Sequence, residues 1–371
     1  MEVRMQKNTQ VLQVVVPPGR GPDVLLSSPV IQAAAKVLQQ GGLVAFPTET
    51  VYGLGANGLD SEAVAGIFAA KGRPADNPLI LHIAAMETLE QIVPEVPPLA
   101  RRLAQSFWPG PLTLVLPKGP AVPAVTTGGL DTVAVRMPDH PIALALLAAA
   151  GVPVAAPSAN ISGRPSPTEA AHVTADLQGR IDIILDGGPT PVGVESTVLD
   201  CTGTIPVILR PGGVSKEALE DVVGTVELDS HVQEGEAVTD GPARSPGMKY
   251  KHYAPKAPAV LVRGEPPGLF MRITELAQEL DAQGEMVGLM ASRELLDYWR
   301  GQGIDQSKWQ VMSMGSRTNP GELAANIYRC LRELDETNVT QIILEGVPAA
   351  GVGLAVMNRL QKAAAYRVVD A

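Results

Sequence analysis

The chain has 371 residues, 45% of them hydrophobic and 18% charged, with a net charge of -10. That length exceeds what one core usually supports, so two domains are expected, and the composition excludes a disordered chain. The negative balance excludes bulk attraction to nucleic acid or an anionic membrane, so a phosphate site has to come from a local basic cluster.

The two cysteines, Cys201 and Cys330, are far apart and form no C-x-x-C pair, which fits a reducing cytoplasm. The amino terminus lacks the apolar core and cleavage site of a signal peptide. The longest apolar run, 142–157, is broken by Gly151 and Pro153 and is too short to span a bilayer, so no membrane partner is expected.

Taken in order, the pattern predicts a helix over 31–40, stopped by Gly41 and Gly42, and a strand over 43–46. F-P-T-E-T-V-Y-G-L-G-A-N-G, residues 46–58, then reads as a strand entering a glycine-rich turn before a helix over 61–70. Gly53, Gly55 and Gly58 spell G-x-G-x-x-G, but T-E-T-V-Y intervenes and no acidic strand end follows, so a nicotinamide or flavin site stands only as an alternative.

In A-K-G-R-P-A-D-N-P-L-I-L-H-I, residues 70–83, Lys71, Arg73 and Asn77 crowd the exit of that helix, and His82 lies on a strand over 79–83. Two cations and an amide suit an anion. The other reading is a basic helix end complementing the dipole, with His82 an ordinary core histidine.

Further strands are expected at 112–116, 132–136, 152–156, 183–185, 196–200 and 207–210, joined largely by Gly/Pro turns into a mixed sheet. Arg136 and Arg210 each end an apolar strand, where a guanidinium needs a carboxylate or phosphate partner, supplied by a ligand or by a structural salt bridge. After the strand over 152–156, Ser158, Asn160, Ser162 and Ser166 suit ligand hydrogen bonds, although taken alone they read more readily as turn and cap chemistry.

An acidic stretch and A-R-S-P-G-M-K-Y-K-H-Y-A-P-K follow, a linker by composition. From about residue 259 strands and helices alternate to the end, which predicts a small doubly wound parallel domain. The division expected is an extension over 1–24, a catalytic domain over 25–226, a linker over 227–257 and a Rossmann-like domain over 258–371. No P-loop, H-E-x-x-H, G-x-S-x-G or zinc spacing is present.

K-G-R at 71–73, S-A-N at 158–160 and F-P-T-E-T-V-Y-G-L-G together resemble the YrdC-like family of threonylcarbamoyl-AMP synthases, and S-P-G-M-K-Y-K-H-Y-A-P with the small tail domain resembles its long two-domain form. The resemblance implies a twisted α/β catalytic domain with a basic cavity. It implies a nucleotidyltransferase that converts L-threonine, bicarbonate and ATP, with Mg²⁺ carried on the nucleotide, into threonylcarbamoyl-AMP and pyrophosphate. A separate transferase would pass the threonylcarbamoyl group to tRNA adenosine.

Carried over by motif, Thr50, His82, Arg136 and Ser196 fall where the family holds threonine. Arg73, Asn77, Thr132, Ser158, Ser166 and Arg210 fall where it holds ATP. Lys71, Arg73, Ser158 and Asn160 form the catalytic K-x-R and S-x-N pair. Ala156 departs from members with a threonine there, so one hydroxyl contact to the amino acid is lost. The linker residues Lys249, His252 and Tyr253 are expected in a lid over the cavity mouth. A competing reading treats the basic cavity as a weak binding surface for double-stranded RNA, in a ribosome-assembly role.

Overall fold

The computed structural model describes residues 7–17, 19, 21–234, 243–246 and 252–371. One sheet contains β1 (Gln10–Gln13), β2 (Val44–Phe46), β3 (Gly53–Asn57), β4 (Ile80–His82), β5 (Leu112–Pro117), β6 (Thr132–Arg136), β7 (Val154–Ala155), β8 (Ile183–Asp186), β9 (Thr197–Asp200), β10 (Val207–Arg210) and β11 (Glu227–Leu228). Their order is β1-β8-β2-β3-β7-β4-β6-β5-β9-β10-β11. The sheet is mixed, as expected: β4 runs parallel to β6 and antiparallel to β7.

Helices cover both faces. Along β2 the alternation of side chains sends Val44 and Phe46 into one core and Ala45 into the other. The first core holds Ile31 and Leu38 of helix Pro29–Gln39 and Ile142 and Leu146 of helix Pro141–Ala150. That second helix, PIALALLAAA, is apolar all round because it is buried between its neighbours, and Gly151 ends it at φ 67°. The opposite core gathers helices Ser61–Lys71, Pro98–Phe107 and Ala170–Leu177 over Leu54, Leu81, Leu114 and Val135.

Two expectations change here. Residues 53–57 form a strand and not a glycine turn, pairing antiparallel with β2 and β7. The glycines permit close packing: a Cβ on Gly55 would lie 2.8 Å from Val154 Cγ1 and 2.9 Å from Phe46 Cε1, and one on Gly58 would strike the Leu81 side chain. The dinucleotide fingerprint therefore loses the strand–turn–helix setting that gives it meaning. Residues 10–13, assigned to an extension, instead pair parallel with β8, whose partner register around residue 183 no local pattern could reveal.

The second sheet is wholly parallel: β12 (Ala259–Arg263), β13 (Val287–Ser292), β14 (Gln310–Gly315), β15 (Gln341–Glu345) and β16 (Val368–Asp370). Its order is β14-β13-β15-β12-β16, so β15 lies between β12 and β13 where the familiar dinucleotide-binding order would place those two together. Helices Gly268–Ala282 and Arg293–Gln302 cover one face around Trp299, and helices Pro320–Asp335 and Gly353–Ala363 cover the other. The core under the latter pair also takes in Val51, Val194 and Tyr253, so the two domains share buried apolar surface. Among the described residues no helix is long and apolar enough to cross a membrane.

Candidate active site

The K-G-R segment is built by a helix end. Asp60 caps helix Ser61–Lys71 through the amides of Glu62 and Ala63, and Gly72, at φ 63°, turns the chain sharply out of it. Lys71 is thereby left on the inner face, where Nζ donates to the backbone carbonyls of Ser158 and, at 2.6 Å, Asn160. Burial, reinforced by the Arg73 guanidinium, holds its pKa well below the ordinary lysine value.

The S-A-N loop is fixed from within as well. Ser158 Oγ donates to Asn160 Oδ1 at 2.6 Å, and Asn160 Nδ2 donates to the carbonyls of Ile161 at 2.8 Å and Arg164 at 3.0 Å. Arg73 Nη2 donates to the Pro78 carbonyl at 3.1 Å.

Ser158, Asn160 and Arg73 line one cavity together with Thr50, His82, Arg136, Ser196 and Arg210. His82 and Arg136 stand side by side at the paired ends of β4 and β6. Arg136 Nη2 lies 2.6 Å from Glu49 Oε1, and its Nε donates to the Gly110 carbonyl. Burial and then Arg136 push His82 down to about 3, so it is a neutral imidazole. Arg210 Nη2 donates to the Ser196 carbonyl at 2.9 Å and to its hydroxyl at 3.2 Å, and Nη1 reaches the Pro246 carbonyl at 3.3 Å. Thr48, beside Thr50, adds a hydroxyl to the wall.

Linker residues complete the cavity. Pro246, His252 and Tyr253 line it, and Tyr253, at φ 62°, stacks on Tyr328 with ring centroids 5.2 Å apart. His252 is buried, with Nε2 lacking a hydrogen-bond partner among the described residues. Burial, then Arg73, hold its pKa well below the ordinary histidine value. Lys249 lies outside the described residues.

Not every expected residue reaches this wall. Thr132 opens β6, at the end of the strand away from Arg136, and lines a separate hollow with Asp131, Asp200, Thr202 and Arg244. Lys71 lies behind the S-A-N loop, bonded to two of its backbone carbonyls. Asn77 is buried beneath Arg73 with both amide atoms unbonded among the described residues. Ser166 Oγ donates at 2.6 Å to Glu195, a wall residue that the sequence pattern did not single out. A carboxylate inside apolar V-E-S-T-V-L was the only available signal, and its main partners, Tyr328 and Arg359, come from the other domain.

The family described as "Telomere recombination" (Sua5, yciO and yrdC proteins) matches residues 36–212, and that described as "Threonylcarbamoyl-AMP synthase, C-terminal domain" matches residues 214–365. A threonylcarbamoyl-AMP synthase of Pyrococcus abyssi is 51% identical over 339 residues, covering 91% of this chain and 95% of that protein. One of Bacillus subtilis is 50% identical over 344 residues, covering 92% and 95%. The crystal structure of P. abyssi Sua5 complexed with L-threonine superimposes with a TM-score of 0.88 at 48% identity, covering 97% of this chain and 99% of that one. The cavity and its flanking domain thus sit in a fold shared with these proteins along nearly their whole length, and the chain belongs to the two-domain threonylcarbamoyl-AMP synthase family.

Proposed function

We propose that this cavity condenses L-threonine, bicarbonate and MgATP into L-threonylcarbamoyl-AMP and pyrophosphate, a nucleotidyl transfer. The observation that carries the reading is convergence: three guanidinium groups, Arg73, Arg136 and Arg210, enter one cavity beside a rigid Ser158–Asn160 loop. The free threonine amine attacks carbon dioxide and gives its proton to solvent, or attacks bicarbonate with loss of water, and an oxygen of the resulting carbamate attacks the α-phosphorus as the bond to pyrophosphate breaks. Such a reaction needs in-line positioning and cationic stabilisation of the equatorial oxygens more than it needs protein covalent chemistry.

Arg136, paired with Glu49 next to neutral His82, is placed for the threonine carboxylate, while Arg73 and Arg210 serve the polyphosphate. Glu195, the one carboxylate on the wall among the described residues, already accepts bonds from Ser166, Tyr328 and Arg359, so Mg²⁺ is carried on the phosphates of the nucleotide. The product is a mixed anhydride, and a separate transferase that hands the threonylcarbamoyl group to tRNA adenosine is its consumer.

Pyrophosphate release tests the reading. It should require threonine and bicarbonate together and yield a threonylcarbamoyl-AMP mass. Release that ignores either substrate would sink the proposal. A duplex-RNA role fits less well, since Arg73, Arg136 and Arg210 are only 9%, 4% and 5% exposed, out of reach of a bulky phosphate backbone.

A further inference from the structure

We infer that the carboxyl-terminal domain is a working part of the catalytic cavity: Arg359 and Tyr328 hold the Glu195 carboxylate in place and so keep the Arg210 guanidinium available to the nucleotide phosphates. The inference rests on the cavity binding ATP, and it concerns how that site is completed.

Glu195 is buried on the wall of the cavity that holds the two phosphate-directed cations Arg73 and Arg210, where a free carboxylate would repel a polyanion or capture a guanidinium. Its lone pairs are instead taken up. Arg359 Nε donates to Oε2 at 2.8 Å, Tyr328 OH lies 2.9 Å from both oxygens, and Ser166 Oγ donates to Oε1 at 2.6 Å. Burial alone would raise the Glu195 pKa, but Arg359 and then Arg210, with the bonds from Ser166 and Arg359, bring it to about 2. The carboxylate is therefore ionised, and Arg359 is its leading counter-charge.

Arg359 is fully buried on helix Gly353–Ala363, Nη1 bonded to Asn358 Oδ1 at 2.8 Å and the guanidinium carbon 5.4 Å from the centre of the Tyr253 ring. The same arginine thus meets both the wall carboxylate and the linker aromatic. Arg210, the next cation to Glu195 in electrostatic weight, spends its bonds on Ser196 and Pro246 and none on Glu195. Remove Arg359, and a buried carboxylate that has lost its leading counter-charge is left with Arg210 as the strongest remaining one.

The test uses the full chain. Arg359→Met should raise the ATP KM, and the Kd of MgATP by calorimetry without threonine, on the order of tenfold, with a smaller change in threonine KM. Adding Glu195→Gln to that variant removes the charge that recruits Arg210 and should recover most of the ATP affinity. Tyr328→Phe keeps the ring stack on Tyr253, loses the donor to Glu195, and should weaken ATP about threefold. It carries the test if Arg359→Met fails to fold. A melting temperature lowered with ATP affinity within twofold of wild type, or a folded double variant with no recovery, overturns the inference and leaves Arg359 an interdomain strut. If the wild-type chain binds no ATP, the reading of the cavity falls instead.

Discussion

Replacing Lys71 by methionine separates two roles that the K-G-R motif leaves mixed. The sequence suggests a lysine touching phosphate, whereas the structure spends its ammonium on the carbonyls of Ser158 and Asn160. Methionine keeps the length and apolar bulk of the stem but donates nothing. One buried and one part-buried carbonyl would lose a donor at about 1–3 kcal/mol each, and the cost of desolvating the amine would be recovered. These effects oppose each other, so global stability should move by no more than about 2 kcal/mol. The loop should nevertheless loosen, because apart from the internal bonds of Asn160 its ties to the rest of the domain are single bonds, among them the amide of Ala159 to the Tyr52 carbonyl at 2.8 Å, that of Ser162 to the Lys71 carbonyl at 2.9 Å, and that of Ile161 to Asp176 Oδ2 at 3.2 Å. Misplacing Ser158 and Asn160 should lower kcat by roughly 10²-fold. Hydrogen exchange on the ligand-free variant decides between the roles. Faster exchange at residues 159–162 marks Lys71 as the loop's anchor; unchanged exchange with a raised ATP KM would return Lys71 to the phosphates.

Arg136→Lys keeps the charge beside Glu49 but loses the planar fork, so the threonine KM should rise by more than the ATP KM, and equal changes would assign Arg136 to the nucleotide or to the fold. Glu195 is held at about 2 against an ordinary 4.5. The folded-state value is the lower one, so its contribution to stability is complete above pH 4.5 and is lost as pH falls towards 2. Glu195→Gln should therefore flatten the melting-temperature profile across that interval, and an unchanged acid limb would show that other carboxylates govern it. If the linker closes over bound substrates, exchange at residues 252–254 should slow when threonine and MgATP are present together, beyond the protection already given by the bond from the Ala254 amide to the Gly163 carbonyl. Identical exchange with and without both substrates would leave the linker a fixed wall.

What the sequence disclosed follows from the range of the interactions involved. Strands β6 and β10 and the helix opening at Ser61 were legible because their periodicity, the Asp60 cap and the Gly72 stop act within a few residues. The wall residues Arg73, Arg136, Ser158 and Arg210 were legible because each sits at an element's end, where the chain must turn and its side chain faces a crevice. Gly53 to Gly58 misled for a related reason. Glycine marks close approach as well as a turn, and only the positions of Phe46, Val154 and Leu81 tell which applies. Thr132 lines a different hollow from Arg136 because a five-residue strand carries its first and last side chains about 13 Å apart, a separation that the local pattern does not display. β1 and Glu195 were hidden because what fixes them lies more than a hundred residues away.

That last class of contact changes what a shortened chain can reveal. Cutting near residue 240 looks at first like a way to remove the linker and leave the catalytic domain. It would also remove Tyr328 and Arg359 from Glu195, Arg332 from Asp176, and the apolar partners of Val51 and Val194. Arg332 matters to the loop directly: it bonds the Pro165 carbonyl at 2.6 Å and Asp176 at 2.9 Å, and Asp176 in turn accepts from the Ile161 amide and from Arg164. Lost activity in such a chain would thus reflect a freed carboxylate beside Arg210 and a loosened S-A-N loop as much as an absent lid. Substitutions within the full chain separate these effects, because the linker meets the wall through His252 and Tyr253 while the domain behind it acts through Glu195 and Asp176.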